Sequence, residues 1–207
     1  MPARFGRRPL KSWRYVGIFG PELMICLASV RIGPARQSFW AVWDREARRL
    51  HERTTFGRGA VSLTPGRARA HGQGVAIDVR LKETAGIECI CPSAGAYGWT
   101  RKQGDVAAHG SVSIDGVSRP LTARAVIDDT AAYYQRHTRW RWSAGVGQAV
   151  DGRALAWNLV EGVNDPAHNS ERTLWIDADP HELAPARFAA DLSRVAELTF
   201  AAEATRS

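Results

Sequence analysis

The chain has 207 residues, enough for one sizeable hydrophobic core or two small ones. Its 44% apolar content excludes wholesale disorder. No stretch reaches the run of about eighteen apolar residues that a membrane-spanning helix needs.

The formal charge of +7 is unevenly spread. Residues 1–80 hold fifteen Arg and Lys against five Asp and Glu, while residues 81–207 hold thirteen against sixteen. A basic N-terminal half would suit an anionic partner. Only three of the 28 cations are lysine, a bias that genomic base composition can produce, so a solvated basic surface is the plainer reading. The three cysteines are Cys26, Cys89 and Cys91. A single residue between Cys89 and Cys91 is too tight for a zinc knuckle, and no second pair follows. The low, odd count fits a reducing cytoplasm with the thiols as small buried groups, and no metal ligand is assigned.

From the N-terminus, Arg4, Arg7, Arg8, Lys11 and Arg14 precede VGIFGPELMICLASV, which loosely imitates an export signal. Pro21-Glu22 splits that apolar run and no Ala-x-Ala site follows, so a hairpin is expected. SWRYVGIF, LMICLASV and SFWAVWD read as strands. VAIDVRLK alternates with period two, placing Val75, Ile77, Val79 and Leu81 on one face. PLTARAVID, RALAWNLVEG, RTLWID and AELTFAAEA continue the pattern, with turn residues at short intervals. The best helical signal is FAADLSRVAEL, over residues 188–198. Residues 12–84 are expected to form an N-terminal β-meander and residues 87–204 an aromatic-rich β part of the same domain.

Two Asp-Gly dipeptides, in SVSIDGVSR and GQAVDGRALAW, predict two-residue type I′ hairpins. Counting outward from Asp151-Gly152, Val150 faces Arg153, Val146 faces Trp157, Ala144 faces Leu159 and Trp142 faces Glu161. In the preceding stretch YYQRHTRWRWSAGVG, alternation sends Trp140 and Trp142 one way. His137, Arg139 and Arg141 go the other.

Candidate chemistry follows from that register. Glu161 beside Trp142 on an apolar face would have its pKa raised and could serve as a general acid. An ion pair at the strand end is the blander alternative. Asp128 and Asp129 are adjacent and face opposite sides, so they make no shared-proton dyad. Asp128 could instead orient His137 for proton transfer. The loop EGVNDPAHNSE is rich in oxygen ligands at Asn164, Asp165, His168 and Asn169. It lacks the glycine and spacing of a calcium loop and is read as a polar connection. Phosphate-binding, dinucleotide and nucleophile-elbow motifs are absent, so no cofactor is expected. Eight tryptophans spread over strands point to a core or ligand cavity rather than a nucleic-acid surface. Trp140, Trp142, Trp157, Tyr133, Tyr134, Asn158 and Asn164 are the expected ligand-binding residues.

KSWRYVGIFGPE, YGWTRKQGDVAAHGSVSIDG, DDTAAYYQRHTRWRWSAG, NLVEGVND, SERTLWID and PHELAPARF occur in this order and spacing. Together they resemble the uncharacterised family called domain of unknown function 2804, over residues 13–200. The resemblance implies no established activity. More distantly, the pattern is similar to the lipocalin-like carotenoid hydratase and Diels–Alderase group, which implies a β-barrel around an apolar ligand. Family members continue past LTFAAEATRS with further strands. A chain ending there would leave the barrel incomplete and open, or a sheet edge uncovered through which two copies of the chain could pair.

The expectation is therefore an all-β protein, a lipocalin-like antiparallel barrel or pair of curved sheets. It would bind a largely apolar small molecule, such as a lipid or isoprenoid, in a tryptophan-lined cavity. Any chemistry would be cofactor-free acid–base catalysis by Glu161 or the Asp128–His137 pair. The alternative is an interaction module whose basic half binds an anionic partner.

Overall fold

The computed structural model of the protein describes residues 1–57 and 59–189. The strand expected at residues 196–204 lies outside them, as does the helix expected at 188–198 apart from its first two residues. All regular structure among the described residues is β. The N-terminal strands are β1 (Arg4–Phe5), β2 (Arg8–Pro9), β3 (Lys11–Phe19), β4 (Leu23–Ile32) and β5 (Ala35–Asp44). They are followed by β6 (Arg49–Phe56), β7 (Val61–Thr64), β8 (Arg67–Gly72) and β9 (Val75–Lys82). Then come β10 (Ile87–Ser93), β11 (Ala96–Ile114), β12 (Val117–Ala132), β13 (Arg141–Gln148) and β14 (Ala154–Glu161). The short strands β15 (Thr173–Ile176) and β16 (Asp179–Glu182) complete the set.

A ten-stranded antiparallel sheet runs β6-β5-β4-β3-β12-β11-β9-β8-β7, with β10 paired to the first half of β11. The long strands β11 and β12 therefore complete a sheet that residues 11–82 begin. One face carries the alternating apolar residues of many strands, including Val16, Ile18, Leu27, Trp40, Ile77, Val79, Val112 and Ile127, all at most 2% exposed. Burying each aliphatic side chain of this set contributes about 1.5–3 kcal/mol. Val61 and Leu63 of β7 pack on the same core as Trp40 and Val42 of β5, so the sheet curls onto itself. No ladder joins β6 to β7 among the described residues, which therefore form no closed barrel.

A second sheet, β13-β14-β15-β16, covers part of the opposite face. Its own small core holds Leu159, Leu174, Leu183 and Ala186, with Trp157 and Phe188 against them. The two sheets meet at a bulge in β11, where Gln103 pairs with Ile127 but Val106 pairs with Ala125. The extra residue is Asp105, in the left-handed region at φ 57° and ion-paired with Arg124. A Cβ at the neighbouring Gly104 would collide with the Trp175 ring of β15, so glycine lets the second sheet approach.

The two Asp-Gly turns differ. Asp115-Gly116 is the expected two-residue turn, both residues having positive φ and Ile114 pairing with Val117. At Asp151-Gly152 the register is one residue off the expectation. Ala149 N–H donates to the Arg153 carbonyl and Gly152 N–H to the Ala149 carbonyl, so Val150, Asp151 and Gly152 form a three-residue loop. Only Gly152 has positive φ there, 89°, the geometry of a type I turn closed by a glycine bulge. Trp142 consequently faces Val160, Gly145 faces Trp157 and Arg141 faces Glu161.

Candidate functional site

The face of the large sheet opposite its main core carries a row of polar and aromatic residues. Tyr15, Asp128 and Lys102 are cross-strand neighbours on β3, β12 and β11, and Trp13, Thr130 and Thr100 form the next row. The β11 bulge makes this possible. Without it, strict alternation would place Lys102 on the same face as Val106 and Ala108, inside the apolar core. The second sheet covers this face and leaves a cavity of about 490 Å3. Its walls are Trp13, Tyr15, Ala28, Val30, Phe39, Trp142 and Val160, and its mouth includes Lys11, Ile32, Arg136 and Trp140. Tyr15 meets Trp142 edge to face with centroids 5.3 Å apart, and Trp13 stacks on Tyr134 at 5.9 Å.

The wall turns polar where Lys102, Asp128, Tyr134, Asn164 and Glu171 reach the same cavity. Lys102 is 1% exposed, and its ammonium lies 2.5 Å from Asp128 Oδ1 and 3.3 Å from Glu171 Oε2. Asp128 also accepts from Thr130 Oγ1 at 2.8 Å and, on its other oxygen, from Trp13 Nε1 at 2.9 Å. Asn164 Nδ2 donates to Glu171 Oε2 at 2.9 Å, and Tyr134 OH donates to Asn164 Oδ1 at 3.0 Å. Asn158 donates to the Glu171 carbonyl and accepts from Trp142 Nε1, tying the indole to the charged end.

Burial pushes the Glu171 carboxyl above its ordinary value, and Asp128 adds to this against the opposing pull of Lys102. Burial alone would lower Lys102, yet Asp128 and Glu171 together raise it, so the ammonium stays charged. The Tyr134 phenol is pushed up by burial and by the nearby Glu171 charge. Two carboxyls thus share one buried cation, and one of them tends toward the neutral acid.

Of the residues expected at the site, Asp128, Tyr134, Trp140, Trp142 and Asn164 line this cavity. Asn158 is fully buried behind Trp142. Tyr133 packs elsewhere, against Phe5 and Tyr97, with its hydroxyl donating to the Pro2 carbonyl. Trp157 faces the small core on the other side of the second sheet. His137 is exposed in a neighbouring polar hollow of about 560 Å3, and the expected Asp128–His137 contact does not form, because Lys102, Trp13 and Thr130 occupy Asp128. Glu161 lies outside the cavity and pairs with Arg141 at 3.2 Å. The Phe188 N–H and then Arg141 hold its carboxyl below its ordinary value, the opposite of a general acid.

Sequence reasoning missed Lys102, Glu171, Trp13 and Tyr15. Lys102 is one of only three lysines and sits in the charged run RKQGD between apolar strand residues, which was its one available signal. In the loop before β15, Asp165 serves Arg172, which is fully buried and also donates to the Leu183, Ala184 and Pro166 carbonyls. That clamp fixes the segment carrying Asn164 and Glu171. No helix of the described residues is long and apolar enough to cross a membrane.

The profile of the family described as "Domain of unknown function (DUF2804)" matches residues 59–206. No curated protein matches the chain significantly. A Nitrosomonas europaea protein provisionally named AttH is similar in structure, with a TM-score of 0.59 and 13% identity over 91% of this chain and 75% of that one. Kievitone hydratase from Nectria haematococca is similar with a TM-score of 0.58 and 13% identity, over 89% of this chain and 66% of the hydratase. At such identity these likenesses concern the fold, an all-β lipocalin-like architecture.

Proposed function

The chain belongs to the DUF2804 family, and we propose that it binds a largely apolar small molecule, lipid- or isoprenoid-like, between its two sheets. The observation that carries this reading is the cavity of about 490 Å3, walled by tryptophan, tyrosine and aliphatic side chains and ending on a few buried polar groups. Its size lies within the range of roughly 300–1,000 Å3 usual for small-molecule sites, and the plan of an apolar body with convergent polar groups is the usual one. One similar structure is by name a hydratase. If this chain also turns its ligand over, the buried carboxyls at the polar end are the groups able to move a proton without a cofactor.

Native mass spectrometry of the purified protein should reveal a retained apolar compound. Long-chain apolar compounds should quench the indole emission of Trp13 and Trp142 with little dependence on salt. Binding through the basic N-terminal half would instead weaken steeply with salt as counterions are released. Nucleic-acid binding with such a slope, together with indole fluorescence indifferent to apolar compounds, would reverse the assignment.

A further inference from the structure

We infer that the cavity selects a neutral ligand bearing a hydrogen-bond acceptor, a carbonyl or hydroxyl oxygen, and that Glu171 Oε1 donates the proton that holds it. This rests on the binding reading above and names the chemical class of the polar group. The geometry assigns the proton. Asn164 Nδ2 and Lys102 Nζ both approach the same Glu171 oxygen, Oε2, at 2.9 and 3.3 Å. Lys102 lies nearer Asp128 (2.5 Å) than Glu171 (3.3 Å), so buried Glu171 is the carboxyl left to keep a proton, and with two donors on Oε2 that hydrogen belongs on Oε1. Oε1 has no hydrogen-bond partner among the described residues, and Glu171 lines the cavity, so the acid hydrogen on Oε1 is free for a ligand.

Asp128 cannot take this role. Lys102, Thr130 and Trp13 already donate to it on both oxygens. Charge completes the case. One ammonium is shared between two carboxyls, so a ligand carboxylate would add a third acidic group around Lys102. A ligand ammonium would have to sit beside Lys102 after passing Lys11 and Arg136 at the mouth. A neutral acceptor does neither.

The titratable groups facing Glu171 are Lys102 from β11, Asp128 from β12, Tyr134 after β12, and Cys89 and Cys91 from β10. Burial pushes the two thiols up to about 11 and about 12, and Lys102 and Tyr134 are also raised. None of these four loses its proton in the neutral range, which leaves Glu171 as the donor that pH can switch off.

The test uses four probes of equal chain length, 2-decanone, decanol, decanoate and decylamine, followed by indole fluorescence. The two neutral probes should bind about tenfold or more tightly than either charged one, since a buried unpaired charge is costly. Affinity for 2-decanone should fall as pH rises and Glu171 ionises. Glu171→Gln should bind 2-decanone with no such fall, because its amide nitrogen donates at any pH from the place of Oε1. A protonated-carboxyl infrared band, present in the wild type and missing from Glu171→Gln, checks the acid independently. Preference for decanoate or decylamine, or identical pH profiles for wild type and variant, overturns the inference while leaving cavity binding intact. Silence from all four probes removes the binding reading itself, and this inference with it.

Discussion

Lys102 is the residue on which the polar end of the cavity depends. It is a fully buried ammonium whose cost is offset by Asp128 of the large sheet and by Glu171 of the loop joining β14 to β15 within the second. Lys102→Met would keep the volume and leave two buried carboxyls facing each other. It should lower stability by about 3–5 kcal/mol in urea titration, the usual result of removing one partner of a buried ion pair. A small loss would mean that the cluster is open to water. Two tryptophans separate packing from binding. Trp40 is 1% exposed in the main core, and Trp40→Ala should cost about 3–5 kcal/mol. Trp142 is half-buried along the cavity, so Trp142→Ala should cost less than Trp40→Ala and still abolish quenching by apolar probes. Equal stability losses would make Trp142 a core residue instead. At this scale half of the aromatic lining was legible: Trp140, Trp142 and Tyr134 stand in one dense run, whereas Trp13, Tyr15 and Phe39 are scattered over β3 and β5. The charged end was not, because a lysine in RKQGD reads as surface unless its strand is known to bulge.

Strands were the most legible elements, since period-two alternation survives in isolation: VAIDVRLK matches β9 residue for residue, with its four apolar positions buried. Register was less legible. The same Asp-Gly dipeptide makes a two-residue turn between β11 and β12 and a three-residue loop between β13 and β14. A one-residue difference moved Glu161 from beside Trp142 to beside Arg141. The sequence around Asp151 offers no local signal for the longer loop, and the register there also has to suit pairing with β15. The β11 bulge was equally hidden, because Gly104-Asp105 reads as a turn signal rather than an interruption within one long strand. It is nevertheless testable. Gly104→Ala would drive a methyl into the Trp175 ring. The variant should lose about 1–3 kcal/mol as the second sheet is forced away, with weaker probe binding because the cavity wall moves with it. Unchanged stability and binding would show that the two sheets do not depend on contact at the bulge.

At the scale of the molecule, a large curled sheet with its own core carries a smaller sheet across its other face, and the ionisable groups between them link folding to pH. Glu171 acts opposite to the usual surface carboxylate. Asp78 is held down to about 2, first by its hydrogen bond from Arg67, so its contribution is present above the ordinary 3.8 and fades as pH falls toward about 2. Glu171 is raised above its ordinary 4.5, so between that value and its folded one the native state holds a proton that the unfolded chain has released. Its contribution is fully present below 4.5 and is lost as pH rises through the folded value. Glu171→Gln removes this titration and leaves Asp78 and the other carboxylates untouched. Stability measured by urea titration from about pH 5 to pH 8 should therefore shift progressively in favour of Glu171→Gln relative to wild type, levelling off once native Glu171 is ionised. Any constant offset from the lost Lys102 contact moves both ends of that comparison equally, because Lys102 stays charged throughout. A difference that stays flat, or that favours the wild type as pH rises, would place an ionised Glu171 in the native state and give the cavity two permanent negative charges around one positive.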